Sequence, residues 1–153
     1  MITVAVSGSF DPVRIGHLDE ICKARELGDR LMVILARDDQ LIKERGCCFV
    51  PYHERKAIIE KISGVDMVLP NIDEDTSVVK SLERYRPDVL AKSGSGTGGN
   101  ASAEEIICQK IGCRIVYGIG IGNLKANSAL IAKFVSLRKD LVATNDRISL
   151  IAP

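Results

Sequence analysis

Short apolar runs at residues 2–6, 30–36, 65–69, 88–91 and 113–117 alternate along this chain with segments of helical periodicity, and this constrains the fold most. The runs are β-branched-rich and bounded by Gly, Ser or Pro, as buried strands are. Between them, residues 15–27 place Ile15, Leu18, Ile21, Cys22 and Leu27 near helical spacing, with Gly28 as the stop. Further helices are predicted over 51–62, 77–86, 103–111 and 128–137, and 138–153 is a tail of weaker pattern. Strand–helix alternation of this kind gives an α/β fold with a mostly parallel five-stranded sheet covered by helices on both faces. The expected division is one domain over 1–137 and a C-terminal tail over 138–153.

In such sheets ligands bind beyond the carboxyl ends of the strands, where strand order reverses. Attention therefore falls on the loops after Val6, after Ala36, at 93–99 and at 118–127. The charge balance, 21 Lys and Arg against 20 Asp and Glu, offers no global field for nucleic acid or an anionic membrane. Phosphate recognition must then be local. The five cysteines are odd in number and include the adjacent Cys47 and Cys48, a poor disulfide framework. With only His17 and His53 to join them, they make no metal motif either, so no protein-held metal is expected. There is no signal-like or membrane-spanning apolar run, and the reading is a soluble protein of the cytoplasm.

The segment Gly8-Ser9-Phe10-Asp11-Pro12-Val13-Arg14-Ile15-Gly16-His17 joins the first strand to the first helix. Gly8 permits a tight turn and Gly16 a close approach to the helix start, where free N–H groups and the helix dipole attract anions. Arg14 and His17, three apart, face the same phosphates. Lone histidines usually cap loops, but a Gly-His pair after a strand and a basic residue points to phosphate. Asp11 has two readings, orienting substrate or Mg²⁺, or an Asx turn with Pro12. Gly118-x-Gly120-x-Gly122 lacks a following βαβ unit and is discounted as a dinucleotide fingerprint.

Gly8-Ser9-Phe10-Asp11 followed by Gly16-His17 resembles the signature of the cytidylyltransferase-like nucleotidyltransferases, Gly-x-Phe-Asp and then His-x-Gly-His. Glycerol-phosphate and ethanolamine-phosphate cytidylyltransferases, archaeal FAD synthetases and pantetheine-phosphate adenylyltransferase share that pattern. The resemblance implies a Rossmann-like α/β sandwich, often a homodimer, that transfers CMP or AMP from CTP or ATP, with Mg²⁺, to a phosphorylated small-molecule acceptor. By position it implies Arg14, His17 and Lys43 as catalytic groups, Arg14 replacing the usual first histidine. It implies nucleotide contacts from Gly8, Ser9, Phe10, Gly16, Ser93, Gly94, Ser95, Lys125 and Ser128. Ser95 stands where relatives carry an aspartate, and Ala126-Asn127 interrupt a Ser/Thr-rich turn. These departures, with Arg14, leave a second expectation, a nucleotide-binding relative that no longer catalyses.

Overall fold

In the computed structural model the described residues are 1–94, 101–120, 132–134 and 136–137. The chain divides into two compact units, Met1–Gly122 and Asn123–Pro153. In the second, residues 132–134 and 136–137 are helical and fall within the helix expected at 128–137.

The first unit runs β1 (Thr3–Gly8), α1 (Ile15–Arg25), β2 (Arg30–Leu35), α2 (Asp38–Arg45), α3 (Tyr52–Ile59), β3 (Met67–Pro70), α4 (Val79–Tyr85), β4 (Val89–Ala91), α5 (Ala103–Ile111) and β5 (Arg114–Val116). All strand pairs are parallel, in the order β3-β2-β1-β4-β5. Strand order therefore reverses between β1 and β4, and the parallel pairing is what the alternation predicts. The strands and helices expected over this unit are present, most with trimmed ends, while β1 runs on to Gly8 and β3 to Pro70. The exception is α2, where the sequence reading placed only a loop carrying Lys43.

Because successive strand residues point to opposite faces, each strand feeds two cores. Val4, Val6, Leu31, Val33, Leu35, Val68, Val89 and Ala91 face Ile21 and Ala24 of α1 and Ile59 of α3. Ala5, Met32, Ile34 and Leu90 face Leu82 of α4 and Ile107 and Cys108 of α5. Burial on both sides explains why the strands read as continuous apolar runs rather than alternating ones. The five cysteines are free thiols, and no helix among the described residues is long and apolar enough to cross a membrane.

Candidate functional site

β1 ends at Gly8 and the chain then turns sharply through Phe10, whose φ of 47° lies in the left-handed region. That conformation is uncommon for a residue with a side chain, and packing compensates it. The Phe10 ring is 1% exposed and belongs to the α1-side core. Gly8 makes room for it, since a Cβ there would stand 3.1 Å from Phe10 Cε2. The ring in turn backs His17, with centroids 4.9 Å apart and planes tilted by 49°. Gly8, Phe10 and His17 thus form one packed stack at the carboxyl edge of the central strand.

The start of α1 differs from an ordinary helix start. In α5, the Ser102 hydroxyl accepts from the Glu105 N–H at 3.2 Å, and the Glu105 carboxylate accepts from the Ser102 N–H at 2.6 Å. That reciprocal box satisfies two orphan donors. In α1 the capping position holds Arg14, whose guanidinium carries donors only and cannot accept from a helix N–H. Only the return half exists, with the Arg14 N–H donating to His17 Nδ1 at 2.9 Å. The N–H groups of Ile15 and Gly16 have no partner among the described residues, so the helix presents unspent donors and the positive end of its dipole.

The same bond sets the state of His17. With Nδ1 accepting, the proton of the neutral ring resides on Nε2, leaving that N–H as a donor. Burial, with the Arg14 charge adding to it, lowers the His17 pKa below its ordinary 6.5. The imidazole is therefore neutral at pH 7, and the fixed positive charge here is that of Arg14.

Asp11 does not face this cradle. It is fully buried, pairs with Arg45, and accepts from the N–H groups of Phe49 at 2.9 Å and Val50 at 2.7 Å. Its oxygens are committed to holding the segment after α2. The expected substrate or Mg²⁺ role for Asp11 is corrected on that ground, and the Asx turn does not describe it either.

Arg55 of α3 is the hub that sequence reading missed. Its side chain is 0% exposed. It donates to the carbonyls of Ser9 at 2.6 Å, Ala36 at 2.8 Å and Val50 at 2.7 Å, and to Asp38 Oδ1 at 2.6 Å. One guanidinium thereby ties the ends of β1 and β2 to the start of α2. The Tyr52 N–H and the Cys48 thiol also donate to Asp38. Burial alone would raise the Asp38 carboxyl, but these donors and the Arg55 charge outweigh it and hold it below 3.8. Burial, with Asp38 beside it, pushes the Cys48 thiol up to about 11.

Lys43 is exposed on the last turn of α2, and its charge bears on Glu74 and Asp75 of the loop after β3. That loop is held to α2 by Arg37, which donates to the Asn71 carbonyl, and by Gln40, whose amide donates to the Asp73 carbonyl at 2.8 Å. Ser93 and Gly94 follow β4, on the other side of β1. Ser93 hydrogen-bonds to Glu20 of α1, whose carboxyl burial raises above 4.5. Gly120 packs on the same residue, and a Cβ there would lie 3.2 Å from Glu20 Cβ. The structure thus gathers Gly8, Ser9, Phe10, Arg14, Gly16 and His17 at the end of β1. Ser93 and Gly94 flank them across the switch point. Ser95, Lys125 and Ser128 lie outside the described residues.

A cavity of about 280 Å³ opens beside this cradle, lined by Ser7, Ser9, Ile34, Glu44, Thr76 and Val78 among others. No three His, Cys, Asp or Glu side chains among the described residues come together as a metal cage.

Comparison with known proteins follows the same outline. Residues 5–98 match the family described as cytidylyltransferase-like. The chain is 32% identical over 146 residues to the bifunctional protein HldE of Hahella chejuensis, covering 91% of this chain and 28% of HldE. It is 33% identical over 91 residues to the FAD synthase of Ferroglobus placidus, covering 60% of this chain and 58% of that enzyme. Against the ethanolamine-phosphate cytidylyltransferase of Arabidopsis thaliana the identity is 31% over 93 residues, 58% of this chain and 22% of the relative. The chain therefore spans between about a quarter and three fifths of the length of these relatives. In fold it matches the lipopolysaccharide core biosynthesis protein from Thermoplasma volcanium GSS1, with a TM-score of 0.65 at 24% identity, over 79% of this chain and 98% of that one.

Proposed function

The chain belongs to the cytidylyltransferase-like family, and from that premise we propose that it transfers CMP or AMP from CTP or ATP to a phosphorylated small molecule, releasing pyrophosphate. The observation that carries the proposal is the start of α1. There the unspent Ile15 and Gly16 N–H groups, the Arg14 guanidinium and the neutral His17 converge beyond the central strand. A triphosphate is the ligand whose charge and acceptor count suit such a cradle.

The reaction is an in-line displacement. An acceptor phosphate oxygen attacks the α-phosphorus, a new P–O bond forms, and the bond to the β-phosphate oxygen breaks. Positioning and charge neutralisation supply most of the catalysis in such transfers, so no covalent enzyme intermediate is needed. His17 donates its Nε2 proton as a hydrogen bond to the phosphate oxygens, whose charge grows as pyrophosphate leaves. Arg14 contributes fixed charge and a two-pronged contact. Lys43, across the edge on α2, meets the acceptor's phosphate, and Ser93 and Gly94 border the nucleotide. Mg²⁺ enters on the triphosphate as part of the substrate, which suits a site where the Asp11 carboxylate is buried against Arg45, Phe49 and Val50 and no carboxylate cage stands among the described residues. The same reading has the protein act in the cytoplasm as a homodimer, which light scattering would test.

The deciding experiment couples pyrophosphate detection to a panel of phosphorylated acceptors, with CTP, ATP, GTP and UTP as donors. Release is expected with CTP or ATP. Tight nucleotide binding without release from any acceptor would replace this reading with that of a binding protein. Failure of all four triphosphates to raise the melting temperature would remove both.

A further inference from the structure

We infer that Glu20 is a positioning residue, a brace that locks the turns after β4 and β5 onto α1 and so fixes the nucleoside end of the donor site against the phosphate cradle. This inference rests on the transferase reading above and adds to it a residue outside the Gly-x-Phe-Asp and His-x-Gly-His positions.

Glu20 stands one turn beyond Gly16 on α1, and residues four apart share a helix face. At 1.5 Å per residue the two lie about 6 Å apart along the axis. The brace therefore begins directly behind the Gly16 N–H of the cradle. The Glu20 carboxylate accepts from both the N–H and the hydroxyl of Ser93. Those are the only donors Ser93 carries, so none is left for a ligand. What Ser93 does for a nucleotide is to hold the chain entering Gly94 in place.

The turn after β5 is laced to the same spot. The Lys92 N–H donates to the Val116 carbonyl at 2.9 Å, and the Ile119 N–H returns to the Lys92 carbonyl at 3.1 Å. The Gly118 N–H donates to the Gly94 carbonyl at 2.7 Å. Gly120 then rests on Glu20 itself. A Cβ there would stand 3.2 Å from Glu20 Cβ and 3.3 Å from its Cα, and the φ of 92° would strain any side chain. Glu20 thus holds one turn through its carboxylate and seats the other on its own backbone. A Cβ on Gly94 or Gly118 would meet nothing within 4 Å among the described residues, so both turns offer bare backbone to a ligand.

Folding gains little from this brace. Burial raises the Glu20 carboxyl above 4.5 even against the two bonds from Ser93. The folded surroundings therefore disfavour the carboxylate on balance, and at neutral pH its desolvation outweighs its hydrogen bonds. What the carboxylate supplies is placement.

The test is calorimetric titration of CTP, ATP and inorganic tripolyphosphate, each with Mg²⁺, into the wild type, Glu20→Ala, Glu20→Gln and Gly120→Ala. Tripolyphosphate probes the cradle alone, whereas the nucleotides probe the cradle and the turns together. Glu20→Ala should weaken the preferred nucleotide roughly fivefold or more, the worth of about one net hydrogen bond, while tripolyphosphate holds. Glu20→Gln, whose amide oxygen still accepts from Ser93, should recover most of that loss, and both Glu20 variants should melt no lower than the wild type. Gly120→Ala should reproduce the selective loss with Glu20 intact. Equal weakening of nucleotide and tripolyphosphate, or nucleotide affinity unchanged in Glu20→Ala, overturns the inference and leaves the transferase reading standing. The selective loss in a protein that releases no pyrophosphate with any acceptor would uphold the brace and sink the transferase reading. Failure of every triphosphate to bind the wild type would remove both.

Discussion

Replacing Arg55 by methionine removes the guanidinium while keeping an unbranched side chain of similar length. Three carbonyls, those of Ser9, Ala36 and Val50, and the Asp38 carboxylate would lose a donor. Counting each charge-assisted bond separately at ~1.5–3 kcal/mol overstates the loss, because one residue makes all four and water can refill part of the space. Breaking one side of a buried ion pair costs about 3–5 kcal/mol. Asp38, however, is 40% exposed and regains water, which lowers the figure. We expect about 3 kcal/mol, a large share of the ~5–15 kcal/mol that holds a typical domain together. For a chain of this size that corresponds to a fall in Tm of roughly 6–12 °C. Urea unfolding followed by far-UV circular dichroism gives the free energy, and Arg55→Lys should recover little of it, since an ammonium cannot reach four acceptors spread around a planar fork. Paired with Asp38→Asn, the double mutant should lose clearly less than the sum of the singles. A loss under about 1 kcal/mol for Arg55→Met, with an unchanged denaturant slope, would refute the hub.

Three further outcomes bear on the cradle. His17→Ala should weaken triphosphate binding or turnover at least tenfold in a protein that still folds, and unchanged binding in the folded variant would displace the site. Because the folded His17 pKa is depressed below 6.5, its cap on Arg14 stabilises the protein above that pH and is lost as pH falls through the lower folded value. The Tm difference between wild type and His17→Ala should therefore shrink on acidification, and nitrogen NMR should report the Nε2-protonated tautomer at pH 7. Gly8→Ala should cost about 1 kcal/mol by pressing on the Phe10 ring, and should weaken nucleotide binding several-fold through the Phe10–His17 contact; a neutral result in both thermal melts and titration would uncouple the stack.

The strands were legible because each is buried on both faces, so β-branched runs such as Val4–Val6 carry the signal unaided. The Gly16-His17 pair was legible for a related reason, since its chemistry is local to one turn. α2 was not. Its eight residues are mostly charged, only Gln40 and Leu41 are buried, and Ile42 faces solvent, so no apolar stripe marks it. The available signs were Asp38 and Asp39 in the first turn, Lys43 and Arg45 in the last, and Gly46 after it. Asp11 and Arg55 were illegible in a deeper sense. Charged residues are expected at the surface, and the partners that draw these two inward include residues 34 to 46 positions away in sequence, Arg45 and Val50 for Asp11 and Ser9 for Arg55. Such pairing exists only once the strands have brought their ends together.

The arginine at the start of α1 has an implication for engineering. A serine or aspartate there would accept from the waiting Gly16 N–H and raise stability by about 1 kcal/mol. Arg14→Ser should thus melt higher while holding a triphosphate less well, since the donor it satisfies is one the ligand needs. Heat tolerance and affinity compete for the Gly16 amide, so a selection that rewards only thermostability would drift toward a sturdier protein with its anion cradle partly closed.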